Sequence, residues 1–428
     1  MPYPPPSAFW DADSPCLFSP NSRKTEWADW NYLTSYGQSL SVGWTAKPVV
    51  TEKQEEGGLY MFRRNKRQAA PDTGVSPRGP FTPSSRGTSI LRSLPFSYAL
   101  TPPLMQHYSP VTASRIWLIC SATGVGGASL GSLGRGTGAY NRILDDLKAA
   151  KILADREGKT LSMPAFIWTQ GETDHQDRKT REWYREKMEK LIRDINHDAR
   201  AVTGQKNDVV CFGYQVGSHL NYYQFNPTDY PAIALEQLEM ALEKDSRYVM
   251  TTPMYHFEYS DGVHLTAPMS RLYGEYVGYV MKKVLLDGAD WKPVHPLTHK
   301  IRKSGKGWTV EVAFYAPCPP LVLDTKTVDD PGNYGFSLVG AEGEDIAIKS
   351  VRLVGKNAVQ LLTEKDPGKG RLRYGMTINE HRPSGPRTGA RGCLRDSQGD
   401  EVKAHIQGKD YRMDNWCPFF DYSLSKGH

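Results

Sequence analysis

Three short, uninterrupted apolar runs limit what this chain can become: Ile116-Trp117-Leu118-Ile119-Cys120, Pro164-Ala165-Phe166-Ile167-Trp168 and Val209-Val210-Cys211-Phe212-Gly213-Tyr214. None alternates with polar residues as a strand with one wet face would. They predict strands covered on both sides, the pattern of a parallel sheet. A strand and turn over Tyr32–Ser39 and a short strand over Tyr248–Thr252 complete the set. Helix-period segments stand between the strands. Tyr140–Glu157 carries Ile143, Leu144, Leu147 and Ile152 on one face, and Arg178–Ala201 carries Trp183, Met188, Leu191, Ile192 and Ile195. Ala232–Lys244 follows, then Leu265–Leu286 with Thr266 as N-cap and Pro268 in the first turn. Alternation from residue 31 to about 287 predicts an α/β fold with helices on both faces. Chemistry in such folds sits at the C-terminal ends of the strands.

The flanking sequence has a different character. Residues 1–30 form a proline-rich arm whose aromatics (Phe9, Trp10, Phe18, Trp27, Trp30) predict packing onto a body. Residues from about 45 to 110 are rich in Pro, Gly, Ser and Arg without periodicity, and read as a long irregular insertion, a wall for a binding site. After a linker at Pro293–Leu297, short alternating runs from about residue 300 predict a C-terminal β-sandwich-like domain. The expected division is therefore an arm (1–30), an α/β domain (31–290) and a β domain (300–428). A length of 428 residues agrees with more than one core.

The net charge of +6 is small for this length, and the cluster Arg63, Arg64, Lys66, Arg67 makes no long basic stripe, which argues against a nucleic-acid partner. No run of about eighteen apolar residues occurs, so no membrane span is expected. The N-terminus, Met1-Pro2-Tyr3-Pro4-Pro5-Pro6, lacks the basic and apolar regions of a secretory leader. A cytoplasmic or particle-associated protein is the expectation. The six cysteines form no C-x-x-C pair, so no metal site is expected. Their even number permits disulfides, while Cys120 and Cys211 in apolar runs read as buried thiols.

Four motifs fall at or after expected strand ends: Gly37-Gln38-Ser39, Gly126-Gly127-Ala128-Ser129, Trp168-Thr169-Gln170-Gly171-Glu172-Thr173-Asp174 and Asp261-Gly262-Val263-His264. Glycine lets the chain bend and leaves the Ser39 hydroxyl at the strand end. Asp261 can accept from one imidazole nitrogen of His264, freeing the other to take a proton from a serine. A metal-binding D-x-x-H is the rival reading, but no third ligand is spaced to join it. An oxyanion could be held by the N–H groups of Ser39 and Gly127 and by the Gln170 amide. A phosphate loop is the rival at Gly124–Gly138, yet that stretch holds no Gly-Lys-Ser/Thr. Glu172 is expected to bond backbone around the serine turn, with Gln38 beside it, and Asp174 to cap the following helix.

This ordered set resembles the SGNH hydrolase superfamily, in the branch of sialate O-acetylesterases and related carbohydrate acetylesterases, over roughly residues 31–287. The resemblance implies a flavodoxin-like three-layer domain. It also implies Ser39 as nucleophile, His264 as base, Asp261 as its orienting acid, Ser39, Gly127 and Gln170 as oxyanion donors, and no cofactor. Leu40 and Ala128 depart from the branch, which often has asparagine and threonine there, and bear on acyl and sugar selectivity. By analogy the β domain fits an accessory domain or a phage-borne polysaccharide esterase, within a virion tail or as a homo-oligomer. The expected substrate is an O-acetylated carbohydrate. The competing classes are a non-catalytic carbohydrate-binding or virion structural protein on the same fold, and a lipid or other ester hydrolase.

Overall fold

A computed structural model describes residues 16, 18, 27–46, 50, 59–61, 82–83, 117–305, 307–376 and 383–425. The expected strands are present: β1 (Trp30–Gly37), β4 (Trp117–Ala122), β5 (Leu161–Thr169), β6 (Val210–Gln215) and β7 (Tyr248–Pro253). Two short strands of the expected insertion, β2 (Leu59–Met61) and β3 (Thr82–Pro83), lengthen the sheet to the order β3-β2-β4-β1-β5-β6-β7. All neighbours are parallel except β2 and β3. Most of that insertion lies outside the described residues, as do Phe9 and Trp10 of the arm.

Every residue of β1, β5, β6 and β7 is buried, as continuous apolar runs require. β5 begins at Leu161, before Pro164, and its register against β1 shifts between the partners of Asn31 and Leu33. A proline that cannot donate to the ladder sits where the ladder is interrupted. Alternate residues of a strand serve opposite layers. Tyr32 and Phe166 join the cluster built with α1 (Gly138–Arg156) and, beyond the short α2 (Glu172–Gln176), α3 (Arg181–Thr203). Leu33 and Ile167 join the cluster built with α5 (Ala267–Met281). Between them in the chain, α4 (Ala232–Leu242) contributes to both clusters. This is a three-layer α/β domain.

Helix ends follow local chemistry. Thr137 caps α1 by accepting from Tyr140 N–H (3.2 Å), and Thr180 caps α3 by accepting from Trp183 N–H (3.2 Å). Asp174 does not cap the long helix, as the sequence led us to expect; it lies inside α2, and Thr180 takes that place.

The C-terminal region is β-rich. Its strands are β8 (His295–Ser304), β9 (Gly307–Tyr315), β10 (Val322–Leu323), β11 (Phe336–Val339), β12 (Asp345–Ile346), β13 (Ile348–Val354), β14 (Ala358–Thr363), β15 (Arg371–Tyr374), β16 (Leu394–Arg395), β17 (Lys403–Ile406), β18 (Lys409–Arg412) and β19 (Phe420–Ser423). Two four-stranded antiparallel sheets, β13-β14-β9-β8 and β12-β11-β15-β19, meet through Phe314, whose ring lies 6.4 Å from Phe336 and 6.0 Å from Phe420. That contact makes a sandwich core.

This region is packed tightly on the α/β layers. Gln215, at the end of β6, exchanges two hydrogen bonds with the backbone of Phe419: it accepts from the N–H (2.7 Å) and donates to the carbonyl (2.9 Å). The His256 ring stacks on Trp416 at 5.3 Å. A disulfide joins Cys16 of the arm to Cys318, a pairing that sequence spacing gave no reason to expect, since 302 residues separate the two. Phe18 adds a stacked contact on Trp291 at 5.6 Å. Cys120 and Cys211 are buried thiols outside the disulfide.

Candidate active site

The central strand order is that of a sheet whose topology reverses beside β1. Loops leaving β1, β4 and β5 diverge there and leave a crevice at the carboxyl ends. Ser39, the Gly126–Ser129 turn and Gln170 follow these three strands respectively.

Ser39 opens a single 3-10 turn, Ser39–Val42, directly after β1. Gly37 makes this possible. Its φ is +139°, and a Cβ there would lie 2.1 Å from the Thr169 carbonyl oxygen. Gln38 N–H donates to that same oxygen (2.9 Å), and the Gln38 side-chain oxygen receives the N–H groups of Gly171 (3.4 Å) and Thr173 (3.3 Å). The serine turn is thereby tied to the loop after β5.

The Asp261–His264 loop precedes α5. Asp261 Oδ1 accepts from the N–H groups of Val263 (3.0 Å) and His264 (2.7 Å), and Oδ2 faces His264 Nδ1 at 2.8 Å. A carboxylate can only accept, so Nδ1 carries the proton and Nε2 is left as an acceptor. Ser39 Oγ lies 2.7 Å from Nε2 and donates to it. Burial alone would raise the Asp261 carboxyl, but these three donors outweigh it and hold the group below the usual carboxylate range. Thr45 Oγ1 lies 2.9 Å from Ser260 Oγ, which donates to the His264 carbonyl (3.0 Å). Gly262 (φ +85°) is flanked by Asn221 and by Pro383 of the β-rich region, so that region abuts the histidine loop.

The N–H groups of Ser39 and Gly127 have no protein acceptor among the described residues. Gly127 is in the left-handed region (φ +67°), with open space where a side chain would be. Gln170 is fully buried and its amide is partly committed: Nε2 donates to Asp174 Oδ2 (2.7 Å) and makes a longer contact to the Ala128 carbonyl (3.4 Å). Glu172 does not bond the serine turn, which corrects the sequence expectation. Its carboxylate accepts from Tyr214 OH (2.7 Å) and lies 3.5 Å from Ser218 Oγ. Those partners stand 42 and 46 residues along the chain, beyond any local signal. No group of three or more candidate metal ligands occurs among the described residues.

Buried titratable groups pull the fold in opposite directions as pH changes. Burial pushes Glu172 up to about 7, Asp174 to about 6 and Asp396 to about 7, hydrogen bonds offsetting only part of it. Burial lowers His175 and His295 to about 4, and His219 and His256 to about 3. The raised carboxyls stabilise the fold fully below about pH 4 and lose that contribution as pH rises through 6–7. The lowered histidines stabilise it above about 6.5 and lose that contribution as pH falls. From pH 7 to 5 each histidine costs about 2 kcal/mol, while Glu172 and Asp396 each return about 2 kcal/mol and Asp174 about 1 kcal/mol. The histidines outweigh the carboxyls, so urea unfolding should show the wild type about 2 to 3 kcal/mol less stable at pH 5 than at pH 7. Glu172→Gln removes one returning group and should widen that gap by about 2 kcal/mol. A variant with the same pH dependence as the wild type would contradict this balance.

Residues 104–281 match the family described as carbohydrate esterase, sialic acid-specific acetylesterase. A crystal structure of a carbohydrate acetylesterase from Xanthomonas citri shares the fold with a TM-score of 0.51 and 15% identity, over 90% of this chain and 81% of that one. The family match falls within the α/β domain and covers most of it. NanS is similar over 60% of this chain and 98% of its own (13% identity, TM-score 0.40), and an Arabidopsis thaliana protein over 59% and 97% (16% identity, TM-score 0.39). No curated protein sequence matches. The matched segment of the α/β domain contains Gly127, Gln170, Asp261 and His264 but begins after Ser39. The fold brings β1 and its serine into the middle of that segment's strands.

Proposed function

We propose that the chain removes O-acetyl groups from a carbohydrate by a serine mechanism. The carrying observation is the unbroken line from Ser39 Oγ through His264 Nε2 (2.7 Å) and Nδ1 to Asp261 (2.8 Å). Ser39 Oγ attacks the acetyl carbonyl carbon while its proton passes to Nε2, and Asp261 stabilises the imidazolium that forms. The carbonyl oxygen becomes an oxyanion held by the N–H groups of Ser39 and Gly127 and by the second Gln170 N–H, which would exchange its long contact with the Ala128 carbonyl (3.4 Å) for the oxyanion. Collapse breaks the ester bond, and His264 gives its proton to the departing sugar oxygen. Water then attacks acetyl-Ser39, losing a proton to Nε2. Acetate leaves, and the serine recovers its proton from the same nitrogen. Gln38 supports the site by tying the serine turn to the Gln170 loop.

Acetate release from a panel of O-acetylated mono- and polysaccharides, run beside long-chain fatty esters, tests this function. Acetate release with little turnover of the long chains is expected. Preference for the long chains would contradict it.

A further inference from the structure

Asp174 is a fully buried carboxylate that the reaction scheme leaves without a task. It lies inside α2, and the next helix has its own cap in Thr180. Burying a carboxylate is costly, so its partners show what it serves. Asp174 Oδ2 accepts from Leu130 N–H (3.0 Å), just beyond the Gly126–Ser129 turn, and from Gln170 Nε2 (2.7 Å). Oδ1 lies 3.3 Å from the same Leu130 nitrogen. One carboxylate thus joins the loop after β4 to the loop after β5.

Open space surrounds Gly126 and Gly127, so side-chain packing against these glycines does not fix the turn. Its upstream side is held by Arg142, which donates to the Thr123 and Gly124 carbonyls (2.9 and 3.3 Å), and by Val125 N–H on the Gly37 carbonyl (2.9 Å). Its downstream side is held by Asp174. Among the described residues the Gln170 side-chain oxygen is buried without a partner, so the orientation of this amide is set from its nitrogen, by the short bond to Asp174 (2.7 Å) and a longer one to the Ala128 carbonyl (3.4 Å).

We propose that Asp174 is a positioning residue that fixes the Gly127 turn and the Gln170 amide relative to each other as one oxyanion hole. This rests on the serine-esterase reading above. A hole organised in advance matters most for the charge that appears in the transition state. Removing the carboxylate should therefore lower kcat and leave substrate binding alone.

The test compares Asp174→Leu, Asp174→Ala and Asp174→Asn in the full chain, with 4-nitrophenyl acetate as substrate. The first two should lose about a hundredfold in kcat with KM changed less than about twofold. Affinity for a small alkylboronic acid, whose tetrahedral serine adduct occupies the hole, should fall in step with kcat. Asp174→Asn keeps an oxygen able to accept both bonds and should retain kcat within about tenfold. The kcat is read from whichever of the Leu and Ala variants keeps the wild-type near-UV circular dichroism. Wild-type kcat there, a rise in KM that accounts for the loss, or unchanged boronate affinity would overturn the proposal. So would collapse of both variants, because Asp174 would then support the fold rather than the hole. Full activity in Ser39→Ala would sink the underlying reading. Ser39-dependent turnover with wild-type kcat in Asp174→Leu would sink the positioning role alone.

Discussion

Ser39→Ala is expected to lower kcat on 4-nitrophenyl acetate by at least about a thousandfold, with KM and thermal stability little changed. The hydroxyl bonds to His264 Nε2. Losing it removes the atom that would carry the acetyl group and leaves the surrounding packing intact. The residue is already small and nearly buried, so alanine fills the same space. Any residual rate should come from the amides near the site and from the orphaned imidazole acting on water. Steady-state kinetics beside a melting curve check this. Turnover within about tenfold of wild type would remove Ser39 from the reaction.

Gly37→Ala should be nearly as damaging for a different reason. A Cβ would meet the Thr169 carbonyl at 2.1 Å from its oxygen and 2.6 Å from its carbon. That carbonyl is backbone at the end of β5, already receiving Gln38 N–H, and cannot swing aside. The φ of +139° adds strain for any residue with a side chain. Separating β1 from β5 here would also move Ser39 away from His264 and pull on Val125, whose N–H donates to the Gly37 carbonyl. We expect about 3 kcal/mol or more of destabilisation in urea and a loss of more than about a hundredfold in kcat/KM. Wild-type stability and activity in this variant would show that the tight approach is not needed.

The parallel sheet was legible because burial on both faces leaves a plain mark. Ile119, Phe166 and Phe212 each stand in runs with no polar partner position, and all are buried. Motif placement was legible for a related reason: glycine turns and short polar runs end such strands. Partnerships across long loops left no mark. Nothing near Cys16 points to Cys318, and nothing near Glu172 points to Tyr214 or Ser218. Asp174 looked like a helix cap because it precedes a long amphipathic stretch. The geometry gives it Leu130, 44 residues earlier. The insertion was read as irregular from its Pro, Gly and Ser content, yet β2 and β3 add an edge to the sheet. Strands of two and three residues are too short for periodicity to reveal. The division of the chain also looked sharper in composition than it is in space, because one apolar cluster runs from Phe166 and Trp168 through to Phe314 and Phe336.

The whole reaction scheme requires that His264 make the Ser39 oxygen nucleophilic. Treating the folded protein with a fluorophosphonate, then digesting it and sequencing the labelled peptide by mass spectrometry, addresses that requirement without any assumption about the sugar. One adduct is expected, on Ser39, and it should disappear in His264→Ala. A protein that releases acetate from its substrate while Ser39 stays unlabelled, or that carries the adduct on another serine, would contradict the scheme.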